Sequence, residues 1–70
     1  MPEMHSLQSS NLAACGYDEE TRTLTVQFTS GAEYSYSGVP EDVYDGLLSA
    51  SSAGQYFHRH IRNFYSHTGG

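Results

Sequence analysis

The stretch Gly31-Ala32-Glu33-Tyr34-Ser35-Tyr36-Ser37-Gly38-Val39-Pro40 decides the fold, because it carries the chain from a strand into a helix. Its two tyrosines are two residues apart, which is the spacing of side chains on one face of a strand. Pro40 suits the first position of a helix, and the following Glu41 and Asp42 complement the positive end of the helix dipole. We therefore expect a strand that contains both tyrosines and a helix that begins at Pro40.

The strand before this stretch, Thr23–Phe28, alternates strictly between apolar and polar residues. The loop that follows it sets where the tyrosines point, because a shift of one residue moves every side chain to the opposite face. A two-residue Ser30-Gly31 turn would expose both tyrosines. A three-residue loop with Gly31 in the left-handed bulge position would place them opposite Val26 and Leu24, on the apolar face. We prefer this loop, since serine is a poor first residue for the tighter turn.

The same reasoning predicts a first hairpin. A strand over residues 11–18 precedes the acidic loop Glu19–Arg22, and the loop length fixes the pairing of the two strands. The predicted pairs are Tyr17 with Leu24, Cys15 with Val26, and Ala13 with Phe28. All three strands then share one apolar face.

Two helices follow the third strand. Val39, Val43 and Leu47 give the first a core face, and the second runs from about Gln55 to Tyr65. Its apolar stripe consists of Phe57, Ile61, Phe64 and Tyr65. The predicted fold is therefore α+β in two layers: a three-stranded antiparallel meander followed by two helices packed on one face. One domain covers residues 11–65, with a flexible lead-in at 1–10 and a tail at 66–70.

The core of such a short chain is thin. A domain of 70 residues buries only about 60% of its unfolded surface, and one cysteine permits no internal disulfide. Six tyrosines and three phenylalanines can supply the missing apolar area, so we expect Tyr34 and Tyr36 to pack beneath the helices. Association through a free edge strand, giving a weak homodimer, would be a second remedy.

The charges are unevenly distributed. Residues 1–50 hold one arginine and all eight acids, a net −7, whereas residues 51–70 hold Arg59, Arg62 and no acid. This distribution and the formal net charge of −5 disfavour a polyanionic partner such as RNA. No apolar run approaches the length of a membrane span, and the amino terminus lacks the features of a secretory leader. We expect a cytoplasmic protein without membrane contact.

Motifs along nearly the whole chain resemble those of the KTSC domain family, whose centre carries a Tyr-x-Tyr motif. They are Ser10-Asn11-Leu12, Gly16-Tyr17-Asp18, Leu24–Phe28, Gly31, Tyr34-Ser35-Tyr36, Val39-Pro40, Val43-Tyr44, Ser52, Gly54, Tyr56-Phe57 and Ile61-Arg62. The family occurs as the carboxy-terminal extension of some lysyl-tRNA synthetases and as free-standing small proteins, and its function is unassigned. The resemblance implies a free-standing domain of this type, for which the synthetase context suggests RNA binding. Ala53 and His58 replace the lysine and asparagine common in the family, which thins the basic patch.

The candidate binding surface is the second helix with its lead-in. Arg59 and Arg62 lie one turn apart and could grip phosphates or an acidic partner, with His58 beside them. The remaining candidate residues are Gln55, Gly54 and Ser52. Tyr34 and Tyr36 could alternatively form a base-stacking platform, although core packing explains them better.

No catalytic or metal-binding constellation is evident. His58 and His60 point about 160° apart on a helix and cannot chelate one ion, and Cys15 is predicted to lie in mid-strand on the buried face. We therefore expect no enzyme activity and no cofactor. The leading hypothesis is a protein-interaction module, and the alternative is an accessory RNA-binding module that uses the second helix and the Tyr-x-Tyr strand.

Overall fold

The computed structural model describes residues 4–7, 9 and 11–69. They form one antiparallel sheet of five strands in the order β1-β2-β3-β4-β5, and two helices that pack on one of its faces. The elements in chain order are β1 (His5–Ser6), β2 (Leu12–Asp18), β3 (Thr23–Phe28), β4 (Glu33–Tyr36), α1 (Glu41–Ser49), α2 (Ala53–His60) and β5 (His67–Gly69). The α+β class and the two helices agree with the prediction from sequence.

The β3–β4 hairpin has the predicted three-residue loop. The amide of Phe28 donates to the carbonyl of Ala32 at 2.8 Å, and Gly31 occupies the left-handed region with φ of 97°. Val26 therefore faces Tyr34 and Leu24 faces Tyr36. Both tyrosines lie on the side of the sheet that the helices cover.

The β2–β3 hairpin follows the prediction except at its open end. Tyr17 pairs with Leu24 and Cys15 with Val26, as expected. A β-bulge between Leu12 and Ala14 shifts the register, so Leu12 rather than Ala13 pairs with Phe28. The bulge inserts one extra residue and places the larger leucine, only 1% exposed, in the core.

The prediction of a three-stranded sheet is wrong, because the meander gains a short strand at each edge. β1 lies within the predicted lead-in and pairs with β2, and β5 lies within the predicted tail and pairs with β4. Strands of two and three residues carry no readable periodicity, which is why the sequence pattern missed them. The outer edges are therefore short, as is common where edge-to-edge association is avoided.

The helices start and end differently from the prediction. Pro40 adopts an extended conformation just before α1, which begins at Glu41. α2 begins two residues earlier than expected, with the Ser52 hydroxyl accepting from the amide of Gln55, and it ends at His60. The amides of Ile61 and Arg62 both donate to the carbonyl of Phe57, which closes the helix. Phe64 therefore leaves the predicted stripe and is 68% exposed.

The core lies between the helices and the covered face of the sheet. Leu24, Val26, Val39, Leu47 and Ile61 are completely buried there. Aromatic residues complete this core, as expected: Tyr36 is only 3% exposed, and the Tyr17 hydroxyl donates to the carbonyl of Val39 at 2.5 Å. In the described part of the chain, no helix is long and apolar enough to cross a membrane.

Candidate functional site

An open cleft of about 1110 Å³ lies where α2 faces the β3–β4 turn and the start of β2. One wall is formed by α2 and the residues flanking it, and it includes every binding residue proposed from the sequence. These are Ser52, Gly54, Gln55, His58, Arg59 and Arg62. Gln55, His58 and Arg59 lie on one side of α2, because positions three and four apart are neighbours on a helix surface. Arg62 was predicted one helical turn beyond Arg59, but it follows the end of the helix at His60.

The opposite wall comes from the β3–β4 hairpin and contains one of the two motif tyrosines. Tyr34 is half-buried, and its ring packs edge-on against Phe28 and His67, each with 5.4 Å between ring centroids. Tyr36 does not line the cleft, since it packs beneath α2 against Phe57 at 5.3 Å. The two tyrosines therefore do not form a paired stacking platform.

The start of β2 closes one end of the cleft. The Ser9 hydroxyl accepts from the amides of Asn11 and Leu12 at 3.2 and 3.3 Å, which fixes the local conformation of this segment next to α2. Gly54 permits the approach, because a Cβ at that position would lie 3.2 Å from the Ser9 hydroxyl oxygen. Ser9, Asn11 and the β3–β4 turn residues Thr29 and Ser30 are cleft residues that the sequence analysis missed.

The cleft is cationic. It contains Arg59 and Arg62, whereas no aspartate or glutamate among the described residues lines it. Neither arginine forms an ion pair within the described ranges. Arg62 instead places its Nη1 atom 3.2 Å from Nδ1 of His58. We call this site the cationic cleft. It consists of the wall formed by α2 and its flanking residues, the wall formed by the β3–β4 hairpin, and the start of β2.

Most of the described carboxylates lie at the other end of the sheet. The β2–β3 turn and α1 carry six of them, which together we call the acidic pole: Asp18, Glu19, Glu20, Glu41, Asp42 and Asp45. Glu33 is near the cleft in sequence, but it pairs with Gln27 and so lies on the uncovered face of the sheet. The separation of charge seen along the sequence is thus also a separation in space.

At the acidic pole, carboxylates crowd one another. The pKa of Glu41 is raised, first by a hydrogen bond shared with Glu19 and then by the charge of the same group. Asp45 and Asp42 raise it further. These groups border a smaller hollow of about 290 Å³ that also includes Arg22.

The chemistry available in the cationic cleft is the binding of anions. Arginine guanidinium groups donate in a planar fork that matches carboxylate and phosphate oxygens, and hydroxyl and amide groups around them add further hydrogen bonds. The described residues include no cluster of three or more histidine, cysteine or acidic side chains that could hold a metal ion. Cys15 is buried, and desolvation raises the pKa of its thiol to about 11, so it is no nucleophile at neutral pH.

Comparison with known proteins gives consistent results. The family model for the KTSC domain matches residues 8–65. A protein from Stutzerimonas stutzeri, described as uncharacterized, is 48% identical over 54 residues, covering 77% of this chain and 76% of that protein. A lysine–tRNA ligase from Nostoc sp. is 40% identical over 60 residues, which cover 86% of this chain but 11% of the ligase. The crystal structure of a KTSC domain protein from Yersinia pestis is 31% identical, with a TM-score of 0.93 over 100% of this chain and 99% of that chain.

Proposed function

The chain belongs to the KTSC domain family, and we propose that it is a small, non-catalytic protein-interaction domain whose cationic cleft binds an acidic segment of a partner protein. The free, buried cysteine is compatible with a reducing compartment, and the proposal keeps the cytoplasmic location expected from the sequence. No cofactor is needed for this role.

One observation carries the proposal: Arg59 and Arg62 both line a cleft without a described carboxylate, in a chain with only one other arginine and no lysine. Both arginines lack an acidic partner within the described residues. They are therefore available to pair with an anionic group of another molecule. The cleft is also long enough to involve the β2 start, the β3–β4 turn and α2, so an extended segment has polar contacts on several sides.

The same features favour a peptide over a nucleic acid. Proteins that bind nucleic acid strongly make about 6–10 phosphate contacts, and two arginines cannot replace so many. The acidic pole also repels a long polyanion, whereas a short acidic segment can remain within the cleft. Tyr36 is buried, so the Tyr-x-Tyr strand offers only one half-buried ring, that of Tyr34, to a base.

RNA remains the second candidate, for one specific reason. Three relatives at 38–43% identity are lysine–tRNA ligases, of which the matched segment is 9–11%. A domain attached to a tRNA ligase could contact tRNA, and Tyr34 lies in the same cleft as the two arginines. In that case the cleft would hold phosphate groups in place of carboxylates.

Fluorescence anisotropy with two labelled probes separates these candidates. One probe is a short peptide of alternating glutamate and serine, and the other is single-stranded polyuridine, with a serine-glycine peptide as the uncharged control. At about 150 mM salt, where charges beyond about 8 Å are screened, we expect saturable binding of the acidic peptide alone. Saturable binding of polyuridine or tRNA without the peptide would reverse the assignment.

Two variants identify the surface. Arg59→Ala with Arg62→Ala should weaken peptide binding by at least about tenfold, because each removes a charge-assisted hydrogen bond. Arg22→Asn is the matched control: it removes the third arginine, at the acidic pole, and asparagine tolerates the positive φ of 54° found there. If Arg22→Asn weakens binding as much as the double variant, the effect is one of net charge and the cleft is not the site. If RNA binds, the plot of the logarithm of its binding constant against the logarithm of the salt concentration should be less steep for the double variant, by roughly two units of slope.

A further inference from the structure

The acidic pole is itself an exposed acidic segment of the kind that the cationic cleft is proposed to bind. Glu19 and Glu20 lie at the tip of the β2–β3 turn, and both are exposed. The turn is held in shape by the Asp18 carboxylate, which accepts from the amide of Glu20 at 3.0 Å. Glu20 is therefore presented on a fixed backbone, beside Glu19, whose carboxyl group shares a hydrogen bond with Glu41.

The two charged surfaces lie at opposite ends of the same strand. β3 starts at the β2–β3 turn, which belongs to the acidic pole, and ends at the β3–β4 turn, which borders the cationic cleft. Six residues of strand span about 20 Å at 3.3 Å per residue. The cleft and the acidic turn of one molecule therefore cannot meet each other, but they can meet the complementary surfaces of two neighbours.

Within the described part of the chain, the cationic cleft has no carboxylate, and the six carboxylates of the acidic pole have one arginine, Arg22, beside them. Arg59 has no carboxylate partner among the described residues, and at the acidic pole the hydrogen bond and charge of Glu19, with the charges of Asp45 and Asp42, raise the pKa of Glu41. Contact between the two surfaces in different molecules would pair the arginines with carboxylates and relieve the repulsion among the acids. Charge complementarity of this kind fixes orientation as well as affinity.

We propose that a second copy of this chain occupies the cationic cleft, with its acidic turn, Glu19 and Glu20 foremost, against Arg59 and Arg62. This inference rests on the proposed function, of which it names one partner. The contact is head-to-tail, because the two surfaces that meet are different. Such a contact leaves a free cleft at one end and a free turn at the other, so association continues beyond a dimer.

Sedimentation and light scattering of the full chain across a dilution series test this proposal. At about 150 mM salt, the mean mass should keep rising up to millimolar concentration without a plateau at the dimer, and it should fall towards the monomer at about 1 M salt, where the screening length is near 3 Å. A mass that stays monomeric at millimolar concentration overturns the proposal, as does a plateau at the dimer.

Complementary charge-reversal variants give the sharper result. Arg59→Glu with Arg62→Glu reverses the cleft, and Glu19→Arg with Glu20→Arg reverses the turn. Each variant alone should associate at least about tenfold more weakly than the wild type, and an equimolar mixture should recover association, because the intact turn of the first fits the intact cleft of the second. A symmetric or edge-strand dimer would persist in each variant alone, which would overturn the head-to-tail contact.

Two controls keep the outcome interpretable. Thermal unfolding verifies that each variant folds, and Gln55→Glu with Arg59→Glu replaces the cleft variant if the change at Arg62 prevents folding. The glutamate–serine peptide is titrated into the same wild-type sample. If the peptide binds while the chain remains monomeric, only this inference fails; if the peptide does not bind either, the proposed function fails with it.

Discussion

Tyr34 and Tyr36 occupy different environments although they are two residues apart on the same face of β4. Tyr36 is enclosed by Phe57 and His67, with ring centroids 5.3 and 5.1 Å away, whereas Tyr34 is only half-buried. We expect Tyr36→Ala to lower the free energy of unfolding by about 3–5 kcal/mol, the range for a buried aromatic ring. Tyr34→Ala should cost about 1–3 kcal/mol. Urea denaturation measures both, and equal losses would contradict the difference in burial.

Cys15 illustrates how burial removes chemistry from a residue. Its side chain is completely enclosed in β2, and desolvation raises the pKa of the thiol to about 11. The native protein should therefore react with a thiol reagent at about pH 8 only as fast as it unfolds, because the thiolate is the reactive form. The same sample in denaturant should react completely within the mixing time. Rapid labelling of the native state would show that the thiol is accessible.

At the scale of the elements, the pairing of strands joined by a short loop could be predicted from sequence, whereas the edge strands of the sheet could not. The glycine at position 31 and the scarcity of apolar residues were sufficient to predict the β3–β4 register, since a left-handed residue is needed at one position of that loop. The bulge at Ala13 and the strands β1 and β5 depend on contacts between distant parts of the chain. Short segments without periodicity do not reveal such contacts.

The contact between α1 and α2 depends on a glycine in the middle of α1. A Cβ at Gly46 would lie 2.6 Å from Cζ of the Tyr56 ring, so the ring can occupy its position only because position 46 has no side chain. In isolation, glycine costs a helix about 1 kcal/mol relative to alanine. Gly46→Ala should nevertheless destabilise the protein by about 1–3 kcal/mol, since overpacking displaces the ring.

The control for this prediction is the same change in a Tyr56→Ala background, where the ring is gone. There Gly46→Ala should become stabilising by up to about 1 kcal/mol, through helix propensity alone. Equilibrium unfolding of the four proteins in this double-mutant cycle gives the coupling between the two positions. Identical effects of Gly46→Ala in both backgrounds would mean that the ring does not limit the helix contact.

At the scale of the whole molecule, the charge distribution allowed part of the candidate site to be predicted. The arginines of the last twenty residues and the helical spacing of their neighbours indicated one wall of the cationic cleft. On the opposite wall, the alternative hypothesis from the sequence had named Tyr34, but Ser9 and Ser30 could not be anticipated, because they reach the cleft through the folding of the sheet. A local pattern can place residues on one element, but a cleft is defined by the elements on both of its sides.

The crowding of carboxylates at the acidic pole has a consequence for stability. The pKa of Glu41 in the folded protein is raised by the hydrogen bond to Glu19 and by the charges of Glu19, Asp45 and Asp42. A carboxyl group whose pKa is higher in the folded state than in the unfolded state binds its proton first in the folded state. Its ionisation destabilises the fold at neutral pH, and this destabilisation disappears as the pH falls through the pKa of the folded state.

Glu41→Gln removes this ionisation, so the variant isolates the contribution of one group from that of the other acids. We expect the wild type to gain stability relative to Glu41→Gln as the pH falls from about 7 to about 4, where carboxyl groups titrate. Thermal unfolding at successive pH values measures the difference. Glu33→Gln, which removes a carboxylate from the uncovered face of the sheet, is the control for the loss of one negative charge. If the stabilities of the wild type and of Glu41→Gln change equally with pH, the neighbouring carboxylates do not destabilise ionised Glu41. In that case a cationic partner would have no such repulsion to relieve at the acidic pole.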